Sequence, residues 1–402
     1  MRSLLDTSGR TVVASCVQHL HKPIGGTYIG SGKVEEVKQL AEDHAAKGVV
    51  FDVRLSPRQQ RNLEEELGLP VTDYDELILD IFARNARTKQ AILAVELAQL
   101  EYSKSRLRRM WTHLDRQSHG GASGTGSGSL TGTGEKQIEM DRRQIRKRIQ
   151  DLKGRLEEIG GRKDRAVAKR QDAFNVALVG YTNAGKSTLM NALTEAGVLA
   201  EDRLFATLDT RTARLVLDKH LNVVLSDTVG FIRNLPPTLI ASFHATLAEV
   251  READLLLHVV DASSAIMEEQ IAAVEGVLTT IKADHVPVIM VFNKVDMVYS
   301  KTILLAFRRR YKQALSISAL TGDGLPALKE AIKTIAMKRI GQVTVRFAVG
   351  DGALDSFVRA RATVTKEAYD ENHAALTVAA DERLVQEFQA KAGLVVDLTP
   401  AP

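Results

Sequence analysis

One cysteine, Cys16, in 402 residues leaves no internal disulfide to staple the fold, and fits a reducing compartment. Its expected place is a strand, as a small buried residue. No apolar run approaches the ~20 residues a helix needs to span a bilayer, which excludes a membrane span. The opening residues Met1-Arg2-Ser3-Leu4-Leu5-Asp6 lack the apolar core of a secretion signal. A cytoplasmic location is expected from these exclusions. An excess of charge of one sign is almost lacking overall: 54 Lys and Arg face 50 Asp and Glu, a net of +4. Apolar residues at 44% and charged residues at 26% are those of a soluble globular protein. The length predicts two to three domains.

That near-neutrality hides a concentration. Residues 101–172 carry 18 Lys and Arg against 10 Asp and Glu, a net of +8, so the rest of the chain is net −4. A single segment with the whole basic excess is the footprint of a phosphate-backbone partner. From about Asp75 the pattern reads as one long helix, with Leu93, Leu97, Leu100, Leu107, Trp111 and Leu114 at steps of four and three. Ile145, Ile149, Leu152, Leu156 and Ile159 repeat those steps, and such seams pair helices side by side. Between them lies a Gly, Ser and Thr stretch, residues 118–134, that cannot form a core. An antiparallel hairpin with a glycine-rich tip is expected. Its arm from Leu93 to Ser118 spans about 40 Å at ~1.5 Å per residue. Gly160-Gly161 is expected to break or bend the returning helix.

Ahead of the hairpin, residues 1–90 alternate strand and helix signals. Thr11-Val12-Val13-Ala14-Ser15-Cys16-Val17 and Val49-Val50-Phe51-Asp52-Val53 read as strands. A helix follows Gly30-Ser31-Gly32-Lys33, and Ser56-Pro57 opens another as cap and first-turn proline. After residue 338, Val343-Thr344-Val345-Arg346-Phe347 and Ala374-Ala375-Leu376-Thr377-Val378 read as strands of a last small unit. The expected fold class is α/β: an N-terminal α/β domain (1–90), the helical hairpin (91–172), a larger α/β domain (173–338) and a small C-terminal α/β domain (339–402).

The chemistry begins at Gly180-Tyr181-Thr182-Asn183-Ala184-Gly185-Lys186-Ser187, which fits the phosphate-loop spacing G-x-x-x-x-G-K-[ST]. Glycines let backbone N–H groups point at phosphate oxygens, Lys186 supplies a positive charge, and Ser187 offers a hydroxyl to Mg²⁺. An apolar strand, residues 174–179, enters the loop. A helix leaves it at Ser187-Thr188, its N-terminus aimed at the anion. Asn293-Lys294-Val295-Asp296 follows an apolar strand and suits guanine. Asp296 can accept from the ring N–H and exocyclic amine, Lys294 can lay its stem over the base, and the N–H of Ala319, after Ser318, can reach the guanine carbonyl. Asp227-Thr228-Val229-Gly230 places Asp227 to hold Mg²⁺ through water and the Gly230 N–H to meet the γ-phosphate. In Phe205-Ala206-Thr207-Leu208-Asp209, Thr207 is the expected switch hydroxyl on Mg²⁺, with Thr210 and Thr212 close by. The predicted catalytic groups are Lys186, Thr207 and Gly230.

GTP hydrolysis needs a group that orients the attacking water. Many small GTPases carry glutamine directly after the Asp-x-x-Gly motif, where this chain has Phe231. Slow intrinsic hydrolysis, completed by a partner or a rearranged loop, is therefore expected. Asn183 fits either ordinary turn chemistry or the asparagine of K⁺-stimulated GTPases.

These residues, in this order, resemble the HflX family of ribosome-associated GTPases. The likeness includes Thr27-Tyr28-Ile29-Gly30-Ser31-Gly32-Lys33, then Gly134-Glu135-Lys136-Gln137-Ile138-Glu139 after the glycine tip, the phosphate loop, and Asp227-Thr228-Val229-Gly230-Phe231-Ile232-Arg233. The resemblance implies a factor, expected as a monomer, that binds the large ribosomal subunit and hydrolyses GTP there. It also implies that the hairpin reaches rRNA near the peptidyl transferase centre, and that some members split stalled ribosomes. Two segments depart from the family pattern. The tip has Leu130-Thr131-Gly132-Thr133-Gly134 where the family usually carries arginine and proline. Asp209-Thr210-Arg211-Thr212-Ala213 replaces Asp-Pro-Thr-Thr-Arg. A GTPase assisting tRNA modification or ribosome assembly is the alternative reading.

Overall fold

The structure, a computed structural model, describes residues 1–119, 131–168, 174–194, 205, 208, 210–218, 221–233, 235–298, 310–311, 314–380 and 382–398. The chain divides into two units. The first is Met1–Lys163, Asp202–Asp209 and Asn234–Thr246; the second is Asp164–Glu201, Thr210–Arg233 and Leu247–Pro402.

The first unit opens with α1 (Arg2–Thr7) and α2 (Ser31–Asp43), which buries Val34, Val37 and Ala41. The expected strand over 11–17 does not form. A strand needs a ladder partner, and this unit's sheet is only β1 (Val49–Val50) and β2 (Val71–Thr72), paired parallel. The stretch takes no regular structure, with Val13 and Val17 exposed and Cys16 a free, exposed thiol rather than a buried one. α3 (Pro57–Leu67) starts as its sequence predicts, with a reciprocal capping box between Ser56 and Gln59, and ends at Gly68 in the left-handed region (φ 67°). α4 (Tyr74–Asn85) is capped by Asp73.

The single long helix expected from Asp75 is two helices. Ala86 leaves helical backbone (ψ 115°), and the Thr88 hydroxyl accepts from the Ala91 N–H at 3.2 Å to start α5 (Lys89–His119). Asp73 joins the two, accepting from the Tyr102 hydroxyl at 2.7 Å and the Arg106 guanidinium at 2.6 Å. α6 (Thr131–Ala168) runs through Gly160-Gly161 without the expected break. Glycine weakens a helix by about 1 kcal/mol but does not end it unless its backbone finds other partners. α6 also begins inside the expected tip, so residues 131–134 are helical and 120–130 lie outside the described residues. Leu93, Leu97, Ile149, Leu152 and Leu156 of the predicted seams are buried. Arg148–Glu96 (2.7 Å) and Lys153–Glu101 (2.8 Å) tie the two long helices.

The second unit holds a six-stranded sheet of order β4-β5-β3-β6-β7-β8. Its strands are β3 (Phe174–Gly180), β4 (Arg211–Val216), β5 (Asn222–Asp227), β6 (Leu255–Asp261), β7 (Val288–Asn293) and β8 (Leu315–Ser316). All neighbours are parallel except β4 with β5. The central strands are continuous apolar runs because helices cover both faces: Val176, Leu178, Leu257, Val259 and Val291 are fully buried. The helices along this stretch of chain are α7 (Lys186–Leu193), α8 (Pro237–Ser242), α9 (His244–Arg251), α10 (Met267–Thr280) and α11 (Leu325–Ile340). α8 belongs to the first unit, where it lies against α5. β3 is central and its flanking connections diverge, so its carboxyl end is the natural ligand crevice of an open α/β sheet.

The chain closes with an antiparallel sheet, β10-β11-β9-β12. It comprises β9 (Gln342–Ala348), β10 (Thr363–Tyr369), β11 (His373–Ala379) and β12 (Val395–Leu398), with α12 (Gly352–Arg359) and α13 (Glu382–Ala390). Val345, Leu376, Val358 and Phe388 form its core. Both strands read from the sequence, at 343–347 and 374–378, are present.

Candidate nucleotide site

The phosphate loop leaves β3 where backbone must crowd backbone. A Cβ on Gly180 would collide with the Val259 carbonyl of β6. Gly185 takes a left-handed φ of 91° at the start of α7, and a Cβ there would meet the Asn293 amide. Only glycine fits both places. Tyr181, Thr182, Asn183 and Ala184 lie between them, and Asn183 is exposed and left-handed (φ 61°), as turn chemistry allows.

Lys186 is buried and turns back over this loop. Its ammonium donates to the carbonyls of Gly180 (3.2 Å) and Tyr181 (3.0 Å). Burial pulls its pKa from 10.5 down to about 8, against an opposing pull from Asp227. The Ser187 hydroxyl donates to Asp227 at 2.6 Å, and Asp227 is fully buried at the end of β5. Thr188 follows, half-buried, on the first turn of α7. The Thr182 hydroxyl is buried and has no hydrogen-bond partner among the described residues. A cation, two hydroxyls and a carboxylate collected around a glycine cradle suit a polyphosphate with a hard cation such as Mg²⁺.

Gly230 sits directly over these groups. A Cβ there would lie 2.9 Å from a Thr182 methyl and 3.2 Å from the Lys186 ammonium. Phe231 then extends the sheet toward the loop: its N–H donates to the Gly180 carbonyl (3.0 Å), and its carbonyl accepts from the Thr182 N–H (2.8 Å). Its ring is 1% exposed. The position after Asp-x-x-Gly therefore faces core, and the residue there has no polar side chain to orient a water.

On the base side, Asn293 ends β7 and is buried. Its amide donates to the Ala184 carbonyl at 2.9 Å, and its oxygen accepts from the Ala319 N–H at 2.9 Å. One side chain thus braces the phosphate loop against the loop after β8. The sequence reading missed this bracing, and here the Ala319 N–H is directed at Asn293. Lys294, left-handed at φ 61°, is ion-paired with Asp261 at 2.8 Å. Asp261, at the end of β6, is a second residue the sequence reading passed over. Asp296 is exposed in a single 3₁₀ turn, without a hydrogen-bond or ion-pair partner among the described residues. Ser318 is fully buried, and its hydroxyl accepts from the Thr321 N–H at 3.2 Å.

Thr207 lies outside the described residues. Phe205 buries its ring in the first unit against Phe82, with centroids 4.5 Å apart. Of the neighbouring threonines, Thr210 donates to Glu249 at 2.9 Å and Thr212 is within β4. His258 on β6 also went unread. It is buried, with a pKa lowered to about 4 by burial and then by the Lys186 charge. Its signal was a lone polar residue in Leu255-Leu256-Leu257-His258-Val259-Val260.

Residues 1–83 match a family model described as GTP-binding GTPase N-terminal, and 85–170 one described as GTP-binding GTPase middle region. Residues 175–294 match 50S ribosome-binding GTPase. A GTPase HflX of Magnetococcus marinus is 45% identical over 377 residues, covering 93% of this chain and 86% of that one. The chain belongs to the HflX GTPase family. Its HflX relative from Escherichia coli K12 is 41% identical over 373 residues, 92% of this chain and 86% of that one. A solved complex of SsGBP with GDP is similar at 24% identity and a TM-score of 0.46, over 84% of this chain and 94% of that chain. As an HflX-family member, the chain binds GTP and hydrolyses it. Among the described residues no helix is long and apolar enough to cross a membrane.

Proposed function

We propose that this GTPase is a cytoplasmic, monomeric factor that binds the large ribosomal subunit in its GTP form and splits or recycles stalled ribosomes under stress. The observation that carries the nucleotide half is the buried set of Lys186, Ser187, Asp227 and Thr182 under Gly230. The ribosomal half is supported by the name of the family model over 175–294 and by the net charge of +8 over 101–172. The chain then works as four parts: 1–90, the hairpin 91–172, the nucleotide domain 173–338 and the C-terminal domain 339–402.

In this reading Lys186 exchanges its two loop carbonyls for phosphate oxygens, regaining full charge as it does. Loop N–H groups from Tyr181 to Thr188 receive the phosphates. Ser187, Thr207 and Asp227 would hold Mg²⁺, which when bound would offset charge on the outer phosphates. The Gly230 N–H reads the γ-phosphate, so its loop must lift from Lys186 to admit it. Asn293 keeps the two loops in register, Lys294 and Ala319 flank guanine, Ser318 shapes the loop, and Asp296 accepts the base's two donors. Phe231 orients no water, so contact with rRNA near the peptidyl transferase centre completes the reaction. K⁺ beside Asn183 is a further part of the proposal. Hydrolysis is then faster in K⁺ than in Na⁺ at equal ionic strength, and equal rates remove that part.

The test is sedimentation through sucrose with ribosomal subunits. The protein with a non-hydrolysable GTP analogue should pellet with the large subunit, and with GDP it should stay in the supernatant. Pelleting should weaken steeply with added salt. Pelleting that ignores the nucleotide removes the switch. Co-purification with a modified tRNA or its enzyme instead of large subunits favours the alternative reading.

A further inference from the structure

Thr182 lies in the phosphate loop, 5% exposed, and its hydroxyl has no hydrogen-bond partner among the described residues. A buried hydroxyl in that state has given up water and gained nothing in return. The donors around it are committed. The Lys186 ammonium donates to the Gly180 and Tyr181 carbonyls, and the Ser187 hydroxyl donates to Asp227. The Thr182 N–H is committed as well, to the Phe231 carbonyl at 2.8 Å. That leaves the hydroxyl as the group on Thr182 with a hydrogen to offer a ligand. Gly230 covers this residue. A Cβ on Gly230 would lie 2.9 Å from the Thr182 methyl, 3.0 Å from the Thr182 Cα and 3.2 Å from the Lys186 ammonium. Methyl and hydroxyl share one carbon, so the hydroxyl belongs to the same small space between Gly230, Thr182 and Lys186.

We propose that the Thr182 hydroxyl is a specificity-determining donor to the γ-phosphate, covered by Gly230 in the nucleotide-free protein and uncovered when GTP enters. This deepens the proposed nucleotide site, and holds only if Lys186 and Gly230 receive the γ-phosphate. A γ-phosphate beside Lys186 needs Gly230 to lift, and lifting it opens the side of Thr182 that Gly230 covers. A hydroxyl that donates to a charged phosphate oxygen makes a stronger bond than one between neutral groups. GDP brings no third phosphate, leaves Gly230 in place and leaves the hydroxyl covered. The bond therefore favours the triphosphate over the diphosphate. Phe231 keeps Thr182 in register meanwhile, because its N–H donates to the Gly180 carbonyl at 3.0 Å while its own carbonyl holds the Thr182 N–H.

The test is a titration of the full chain, in Mg²⁺, with fluorescent GDP and with a fluorescent non-hydrolysable GTP analogue. Thr182→Val keeps the branched shape and removes the hydroxyl. It should weaken the analogue about tenfold, the scale of one hydrogen bond to a charged group, and leave GDP within about twofold. Thr182→Ser keeps the hydroxyl and should hold the analogue within about threefold of the unaltered chain. Urea denaturation without nucleotide supplies a readout that a structural role would move the other way. Thr182→Val should unfold at the same or a higher urea concentration, since the hydroxyl has no bond to lose. Equal weakening of both nucleotides, no weakening, a serine variant as weak as the valine one, or a destabilised Thr182→Val overturns the proposal. Lys186→Ala separates it from the site itself. If that variant loses both nucleotides while Thr182→Val is flat, the Thr182 role alone falls. If it binds both as before, the phosphate-site reading falls and takes the Thr182 role with it.

Discussion

Lys186 shows how a residue legible in sequence gains a property only the fold supplies. The spacing of the phosphate loop named it, but burial sets its pKa near 8 rather than 10.5. In the free protein the unfolded chain therefore holds more proton than the folded one between about pH 8 and 10.5, so this group's contribution to stability rises with pH across that window. Phosphate oxygens favour the charged amine, so the sign reverses for binding. Nucleotide binding at pH 9 should take up close to one proton, and at pH 7 very little. Calorimetry in two buffers of different ionisation enthalpy reads this directly, and no uptake at pH 9 contradicts the burial argument. Asn293 and Cys16 mark where residue-level reading stops. Asn293 was read as a guanine contact, and its hold on Ala184 and Ala319 depends on three loops meeting. Cys16 was read into a strand whose partner the fold does not provide.

At the scale of elements, local signals set the starts of helices better than their continuity. The Ser56-Pro57 helix start and the strand–loop–helix from β3 to α7 were visible in short windows. The junction between α4 and α5 was not, because the apolar period continues across it while Ala86 turns the chain. Gly160-Gly161 erred the other way: a break was expected where α6 is continuous. Nothing lies within 4 Å of a Cβ added at Gly161, and it is within helix. Gly161→Ala should therefore stabilise the protein by about 0.5–1 kcal/mol, measured by urea denaturation. Destabilisation would mean that the helix needs a glycine backbone there. Phe205 belongs to this scale as well. Its ring packs on Phe82 of α4, and its carbonyl accepts from Asn85, 120 residues away.

Over the whole molecule, charge and chemistry are carried by different stretches of chain. The basic excess is confined to 101–172, while the phosphate, base and Mg²⁺ groups fall between 180 and 319. In the proposed reading, turnover is set by what that basic stretch contacts. Both the family resemblance and the charge imbalance were legible before any fold. What was not legible is the chain crossing, by which residues 202–209 and 234–246 join the first unit rather than the second. Long-range packing of that kind leaves no local period to read. In the proposed reading, the buried Phe231 ring leaves hydrolysis to be completed by a partner. GTP turnover measured with and without purified large ribosomal subunits, at saturating GTP and Mg²⁺, tests this most directly. Stimulation of at least about tenfold, the usual scale of a group that completes an active site, is predicted. An unchanged rate with saturating large subunits would contradict it.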